Sequence, residues 1–278
     1  MKFNLDTAWK DATGLLSRNL GLLSVIAGVF FFLPYAGITI ALPEMGNLAK
    51  AQASGNPEII MAAVTDLYVQ YWWVFLTLAV IQGIGFLAML ALVRRRANPT
   101  VGEALATGAR AIPSYIAVQL MQTGLIVIVA VLLVGLGAVT GLQLLAALGG
   151  VIAGVVILYI VTKLSLVAAV IAIEGDLNPV RAMQRSWSLT RGNSVRLFAF
   201  YALLVVAFLV LSAVISLVLG LVFALFGEEA ALLGEAIVSG FVNAAMIVVM
   251  VCVLAAVHTQ FARLGSRASV PTTHQTED

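Results

Sequence analysis

Long apolar runs alternate with short polar segments along the whole chain. Six runs each supply the roughly 20 apolar residues that a helix needs to cross a bilayer core. They are about Leu20 to Leu42, Leu67 to Val93, Ile116 to Val139, Leu142 to Ile173, Leu197 to Phe226 and Ala236 to His258. Little more than Thr140 and Gly141 separates the third from the fourth, but the combined run is far too long for one crossing. The fourth and fifth exceed the required length, which predicts tilt or ends outside the hydrocarbon. Pro34 lacks a backbone donor and predicts a kink in the first. The expected fold is all-α: a polytopic integral membrane protein with six transmembrane helices.

The polar segments have their own pattern, and three of them read as short amphipathic helices. In the third, Asn178 suits the N-cap and Pro179 the first helical position. Val180, Met183 and Trp187 fall on one side and Arg181, Arg185 and Ser188 on another, and Gly192 can end the helix in a left-handed conformation. The second opens with Asn98 and Pro99, and Thr100 with Glu103 has capping-box spacing. Val101, Leu105 and Gly108 form its apolar stripe. The first has Leu5, Trp9, Ala12 and Leu16 on one side and Asn4, Asp11 and Arg18 on another. Setting Ala8, Ala104 and Ala182 in register matches Asn19 to Asn193 and Leu15 to Leu189, with a short gap to align the Asn–Pro of the second. The expected architecture is three hairpins, each preceded by an amphipathic interfacial helix in the plane of the headgroups. One membrane domain spans residues 1–264, as pseudo-repeats 1–93, 94–174 and 175–264, followed by a disordered cytoplasmic tail at 265–278.

Composition agrees. Hydrophobic residues make up 62% of the 278 and charged residues 10%, against about 45–50% and 25% in soluble domains. A mean hydropathy of +1.08 excludes a disordered chain, a soluble enzyme and a nucleic-acid-binding protein. The net charge of +2 is too small to imply a polyanionic partner. Cys252 is the one cysteine and His258 and His274 the two histidines, so neither a disulfide framework nor a zinc centre is expected. No metal or cofactor is implied.

Thirteen of the fifteen basic residues fall in the N-terminal segment, the second and fourth connections and the C-terminal tail. The positive-inside rule then places both termini in the cytoplasm. The opposite connections carry Glu44, Glu58, Asp66, Glu228, Glu229 and Glu235. Tyr68, Tyr71, Trp72 and Trp73 mark an aromatic belt at the outer end of the second span.

One stretch carries a family signature: Ile171-Ala172-Ile173-Glu174-Gly175, then Asn178-Pro179, Ala182 and Arg185-Ser186-Trp187-Ser188-Leu189-Thr190-Arg191-Gly192-Asn193. It resembles the membrane domain of the glycerophosphoryl diester phosphodiesterase membrane-domain family, and YciC-like bacterial inner-membrane proteins look similar. The resemblance extends to about Leu264. In fused members the hydrolase is a separate soluble barrel built on His, Glu and Asp residues. This chain has no soluble segment of the roughly 250 residues a barrel occupies. The resemblance therefore implies the membrane module without the hydrolase, and no enzyme activity is expected.

Lys163 is the most unusual residue, because an ionisable group at depth costs about 2.5 kcal/mol or more. The family pattern resembles a basic residue here too. It either snorkels to the inner headgroups or pairs with Glu174 or Asp176, or it serves a ligand. Arg181, Arg185, Arg191 and Arg196, with Trp187 interleaved, form the densest basic cluster. They either fix topology or grip anionic headgroups. Together Lys163, Arg181, Arg185, Trp187 and Arg191 are the candidate anion or lipid-headgroup site. Gln82, Gln119, Gln122, Gln143 and Asn243 are expected to hydrogen-bond between helices, and Gly137 with Gly141 and Gly150 with Gly154 have the spacing of close helix contacts.

Four functions fit this pattern. The first is a non-enzymatic module that binds or organises membrane lipid, anionic lipid included, at the inner leaflet. The second is a transporter or channel for a small or amphiphilic solute. The third, an enzyme acting on lipid, lacks carboxylate and histidine constellations. The fourth is a scaffold for a protein partner or a second copy of the chain.

Overall fold

The computed structural model describes residues 3–93, 99–139 and 142–268. Among the described residues all regular structure is helical. The α-helices are α1 (Leu5–Ala27), α2 (Leu33–Ala41), α3 (Pro43–Ala53), α4 (Pro57–Leu92), α5 (Val101–Ala130), α6 (Leu136–Val139), α7 (Gln143–Leu164), α8 (Val167–Ala169), α9 (Pro179–Leu189), α10 (Ser194–Ala224) and α11 (Glu228–Ala268). π-helical turns at Gly28–Phe32 and Val131–Gly135 join α1 to α2 and α5 to α6, and a third at Val170–Glu174 follows α8. The first comes just before Pro34, where the missing N–H disrupts the regular ladder. Six helical runs are long and apolar enough to cross a membrane: Leu5–Ala41, Pro57–Leu92, Val101–Gly135, Gln143–Glu174, Ser194–Phe223 and Leu233–Leu264. The chain is a multi-pass membrane protein. The basic residues 94–96, the Asn98 cap, Thr140, Gly141 and the tail from 269 lie outside the described residues, and α11 carries helix through Ala268, into the expected tail.

The three polar segments share a register that needs no gap. Asn4 Oδ1 accepts from the Thr7 N–H at 3.0 Å, Thr100 Oγ1 from the Glu103 N–H at 3.3 Å, and Asn178 Oδ1 from the Arg181 N–H at 3.1 Å. The Thr100 N–H donates to Glu103 Oε2 at 2.9 Å and completes the capping box. Each cap stands four residues before Ala8, Ala104 or Ala182, and all three alanines are buried. So are Ala12, Gly108 and Ser186, and then Leu15, Ala111 and Leu189. The buried face is thus made mainly of small residues. The expected apolar stripes meet it only in part: Leu5, Leu16, Val101, Leu105 and Met183 pack half-buried against the core, whereas Trp9, Val180 and Trp187 are exposed, because close helix contact selects side chains that let backbones approach.

Only the third of these segments is a separate helix. The first is the opening of α1 and the second the opening of α5, both running straight into their spans. Gly192 explains the difference. Its φ of 78° breaks the chain between α9 and α10, a conformation that costs glycine little and other residues more. Arg18 and Ser114 occupy the same register in the other two segments and stay helical. Pro113 sits inside α5 without ending it.

Spans adjacent in sequence pack together, and α11 closes against α1. In their most apolar windows the first, second and sixth spans are 28, 39 and 39% buried, against 6, 12 and 6% for the third, fourth and fifth. The first group therefore forms the centre, and the others turn apolar faces outward, as lipid contact requires. The core gathers at one end, among Leu23, Ile26, Leu87–Leu90, Leu166–Ala172 and Val251–Val257. That end also carries α9 and the chain's first described residues.

Candidate functional site

The fourth span does not cross uninterrupted. α7 stops at Leu164, the chain turns through Ser165 and Leu166, and α8 with its π-helical turn continues to Glu174. A helix end within a membrane protein leaves carbonyls that need donors. Two hydroxyls supply them: Ser165 Oγ donates to the Thr162 carbonyl and Ser186 Oγ to the Lys163 carbonyl, each at 2.8 Å. Gly175, at φ 79°, then reverses the chain, so that α9 folds back over the break. Ser186 and Thr190 are fully buried, and Thr190 Oγ1 donates to the Ser186 carbonyl at 3.1 Å. Ser186→Ala is therefore expected to leave a buried carbonyl without a donor. It should lower stability by about 1–3 kcal/mol, measured as detergent-phase thermal unfolding; an unchanged midpoint would show that this bond does not hold α9 in place.

Lys163 lies at this break and is 3% exposed. Its Nζ sits 5.6 Å from the ring centre of Tyr159 and 5.3 Å from that of Trp187, while the two rings meet edge-to-face at 5.8 Å. Cation–π attraction thus replaces a carboxylate partner. The α7 C-terminus adds a favourable dipole end. Arg191 lies in the elbow after α9, four residues beyond Trp187, and is exposed. Neither Lys163 nor Arg191 has an ion pair among the described residues.

The neighbouring acids are committed elsewhere. Glu174 receives Arg185 Nε on both oxygens, at 3.2 and 3.1 Å, and His258 Nε2 lies 2.9 Å from Oε1. Asp176 Oδ1 accepts from Arg181 at 3.0 Å and from the Asn178 N–H at 3.0 Å. The Phe3 N–H donates to Asn193 Oδ1 at 2.9 Å, and Gln260 Nε2 donates to the Asn4 carbonyl at 3.2 Å. The N-terminal residues, the α9–α10 elbow and α11 are thereby tied at one point. Of the five candidate residues, Lys163 and Trp187 come together and Arg191 follows in the adjoining elbow, whereas Arg181 and Arg185 are drawn off by Asp176 and Glu174. Tyr159 stands one helical turn before Lys163, so its role was legible from spacing. Nothing in the sequence points to His258 as the partner of Glu174.

Next to Tyr159, an open apolar groove of about 260 Å³ runs between α7 and α10. Val155, Leu158, Tyr159 and Thr162 form one wall and Ser194, Val195 and Phe198 the other. At the far end of the molecule a more polar cleft of about 720 Å³ lies between α3 and α4, lined by Glu44, Asn47, Lys50, Asp66 and Gln70 among others. The interhelical bonds expected of Gln82, Gln119, Gln122, Gln143 and Asn243 do not form among the described residues. Those side chains sit on half-buried or exposed faces. A Cβ at Gly150 or Gly154 would meet nothing within 4 Å, so that pair makes no close contact either. Among the described residues, no three His, Cys, Asp or Glu side chains have the spacing of a metal site. No family model, curated protein or solved structure matches the chain.

Proposed function

We propose that this chain is a non-enzymatic integral membrane module that binds or organises anionic lipid at the cytoplasmic leaflet of a bacterial inner membrane. The carrying observation is the covered, carboxylate-free Lys163, at the end of the molecule where the amphipathic α9 lies. A covered cation without a carboxylate partner, with a second cation in the adjoining elbow, favours an external anion, and phospholipid headgroups are the anions concentrated at that depth. The shared buried register of the three amphipathic segments supports a threefold repeat of helix and hairpin. The resemblance to the glycerophosphoryl diester phosphodiesterase membrane-domain family fits the same reading, with the hydrolase absent.

Native mass spectrometry of the full chain, extracted from a mixed-lipid membrane, tests it. The reading expects retained anionic phospholipid in excess of its share in the membrane; retention in proportion to that share contradicts it. For orientation, a cysteine at Ser54, with Cys252 replaced, is expected to react only with reagent added from the periplasmic side. Labelling from the cytoplasm alone would invert the topology. The pure protein is expected not to hydrolyse glycerophosphodiesters. Hydrolysis abolished by a point substitution in this chain would make it an enzyme.

One feature favours a transporter or channel instead: the polar cleft between α3 and α4, where Glu44 Oε2 is buried without a hydrogen-bond partner. Solute uptake into proteoliposomes that is lost on filling this cleft, for example by Ala63→Trp, would favour it over the lipid module.

A further inference from the structure

Lys163 is unusual in two ways at once. The residue is covered, with 3% of its surface exposed, and its ammonium faces the rings of Tyr159 and Trp187. The acids that would ordinarily neutralise it are held by Arg181, Arg185 and His258. Tyr159 is also a lining residue of the apolar groove, and Thr162 and Ser194 place two hydroxyls on the same walls. The polar and apolar features are therefore continuous: a cationic, aromatic head region at the α9 elbow passes directly into an apolar channel between α7 and α10.

We propose that this continuous surface is a binding site for a single anionic glycerophospholipid, its phosphate against Lys163 and Arg191 beside the Trp187 ring and one acyl chain along the α7–α10 groove. The assignment deepens the lipid-module reading and rests on it. Charge complementarity commits the head to an anion, because a covered cation without a carboxylate partner, with a second cation in the adjoining elbow, favours one. The groove commits the ligand to a lipid rather than a free phosphate, because Val155, Leu158, Val195 and Phe198 offer apolar surface and no polar side chain. Trp187 and Tyr159 suit the junction, since aromatic rings favour the interface between headgroup and chain. Arg181 and Arg185 play no part; they hold α9 through Asp176 and Glu174.

The full chain in nanodiscs of phosphatidylglycerol and phosphatidylcholine with identical chains separates the contributions, with bound lipid counted after release from the disc. The wild type is expected to enrich phosphatidylglycerol. Lys163→Met and Arg191→Gln, which keep most of each stem, should each lower that selectivity about fivefold, the ratio equivalent to ~1 kcal/mol for one basic residue near an anionic surface. Lys163→Arg should retain it, which controls for a folding defect at the site. Val195→Trp, filling the groove, should reduce retention of both lipids and leave their ratio unchanged. Selectivity that persists in the Lys163→Met, Arg191→Gln double variant overturns the site while leaving the lipid-module reading intact. No enrichment by the wild type overturns that reading itself. Unchanged retention of both lipids in Val195→Trp removes the acyl-chain half of the assignment.

Discussion

Gly108→Val is expected to destabilise the protein by about 1–3 kcal/mol or more, enough to deplete folded protein in detergent. A Cβ at Gly108 would stand 2.5 Å from the Ile84 carbonyl oxygen and 3.0 Å from the Ala88 nitrogen. Both are backbone atoms of α4, so no rotamer can relieve the overlap, and the two helices must separate. They carry the packing between the second and third spans, and separation would also lift Ala104 and Ala111 off the core. Gly150→Ala supplies the contrast. It meets open space and should be neutral, or stabilising by the ~0.5–1 kcal/mol that alanine gains over glycine in a helix. Equal melting of the two variants would mean that α4 and α5 do not meet at Gly108.

Glu174→Ala should be nearly as damaging, by about 2–3 kcal/mol. One carboxylate joins α9 through Arg185, α11 through His258 and the end of the fourth span. His258 is 4% exposed, so removing the acceptor leaves a covered imidazole with no partner, while the exposed edge of Arg185 can return to water. Arg185→Ala is expected to cost less than Glu174→Ala for that reason. The reverse order would show that Arg185, and not His258, is the group that depends on Glu174.

The two predictions differ in how far the sequence foretells them. The six spans are visible as apolar runs because a bilayer leaves the chain no other way to satisfy its backbone. The caps at Thr100 and Asn178 are visible because their spacing is local. Lys163 is visible as a charge among apolar residues. The contact faces are harder to see. Ala8, Ala104 and Ala182 pack by being small, whereas Trp9 and Trp187, the bulkiest residues of their segments, stay exposed. In a protein surrounded by lipid, hydrophobicity no longer marks what is inside. The separation of α9 from its span depends on Gly192 alone, while Arg18 and Ser114 keep α1 and α5 continuous. The Glu174–His258 pair joins residues far apart in sequence, and only the fold brings them together.

Lipid contact at Trp187 is the decisive measurement for the site. With Trp9, Trp72 and Trp73 replaced by phenylalanine, Trp187 becomes the sole tryptophan of the chain. Its fluorescence in nanodiscs then reports bromine-labelled acyl chains at the proposed site. Brominated phosphatidylglycerol is expected to quench more strongly than brominated phosphatidylcholine at equal mole fraction, with the difference abolished in Lys163→Met. Equal quenching by the two lipids, with Lys163 intact, would contradict the proposed site.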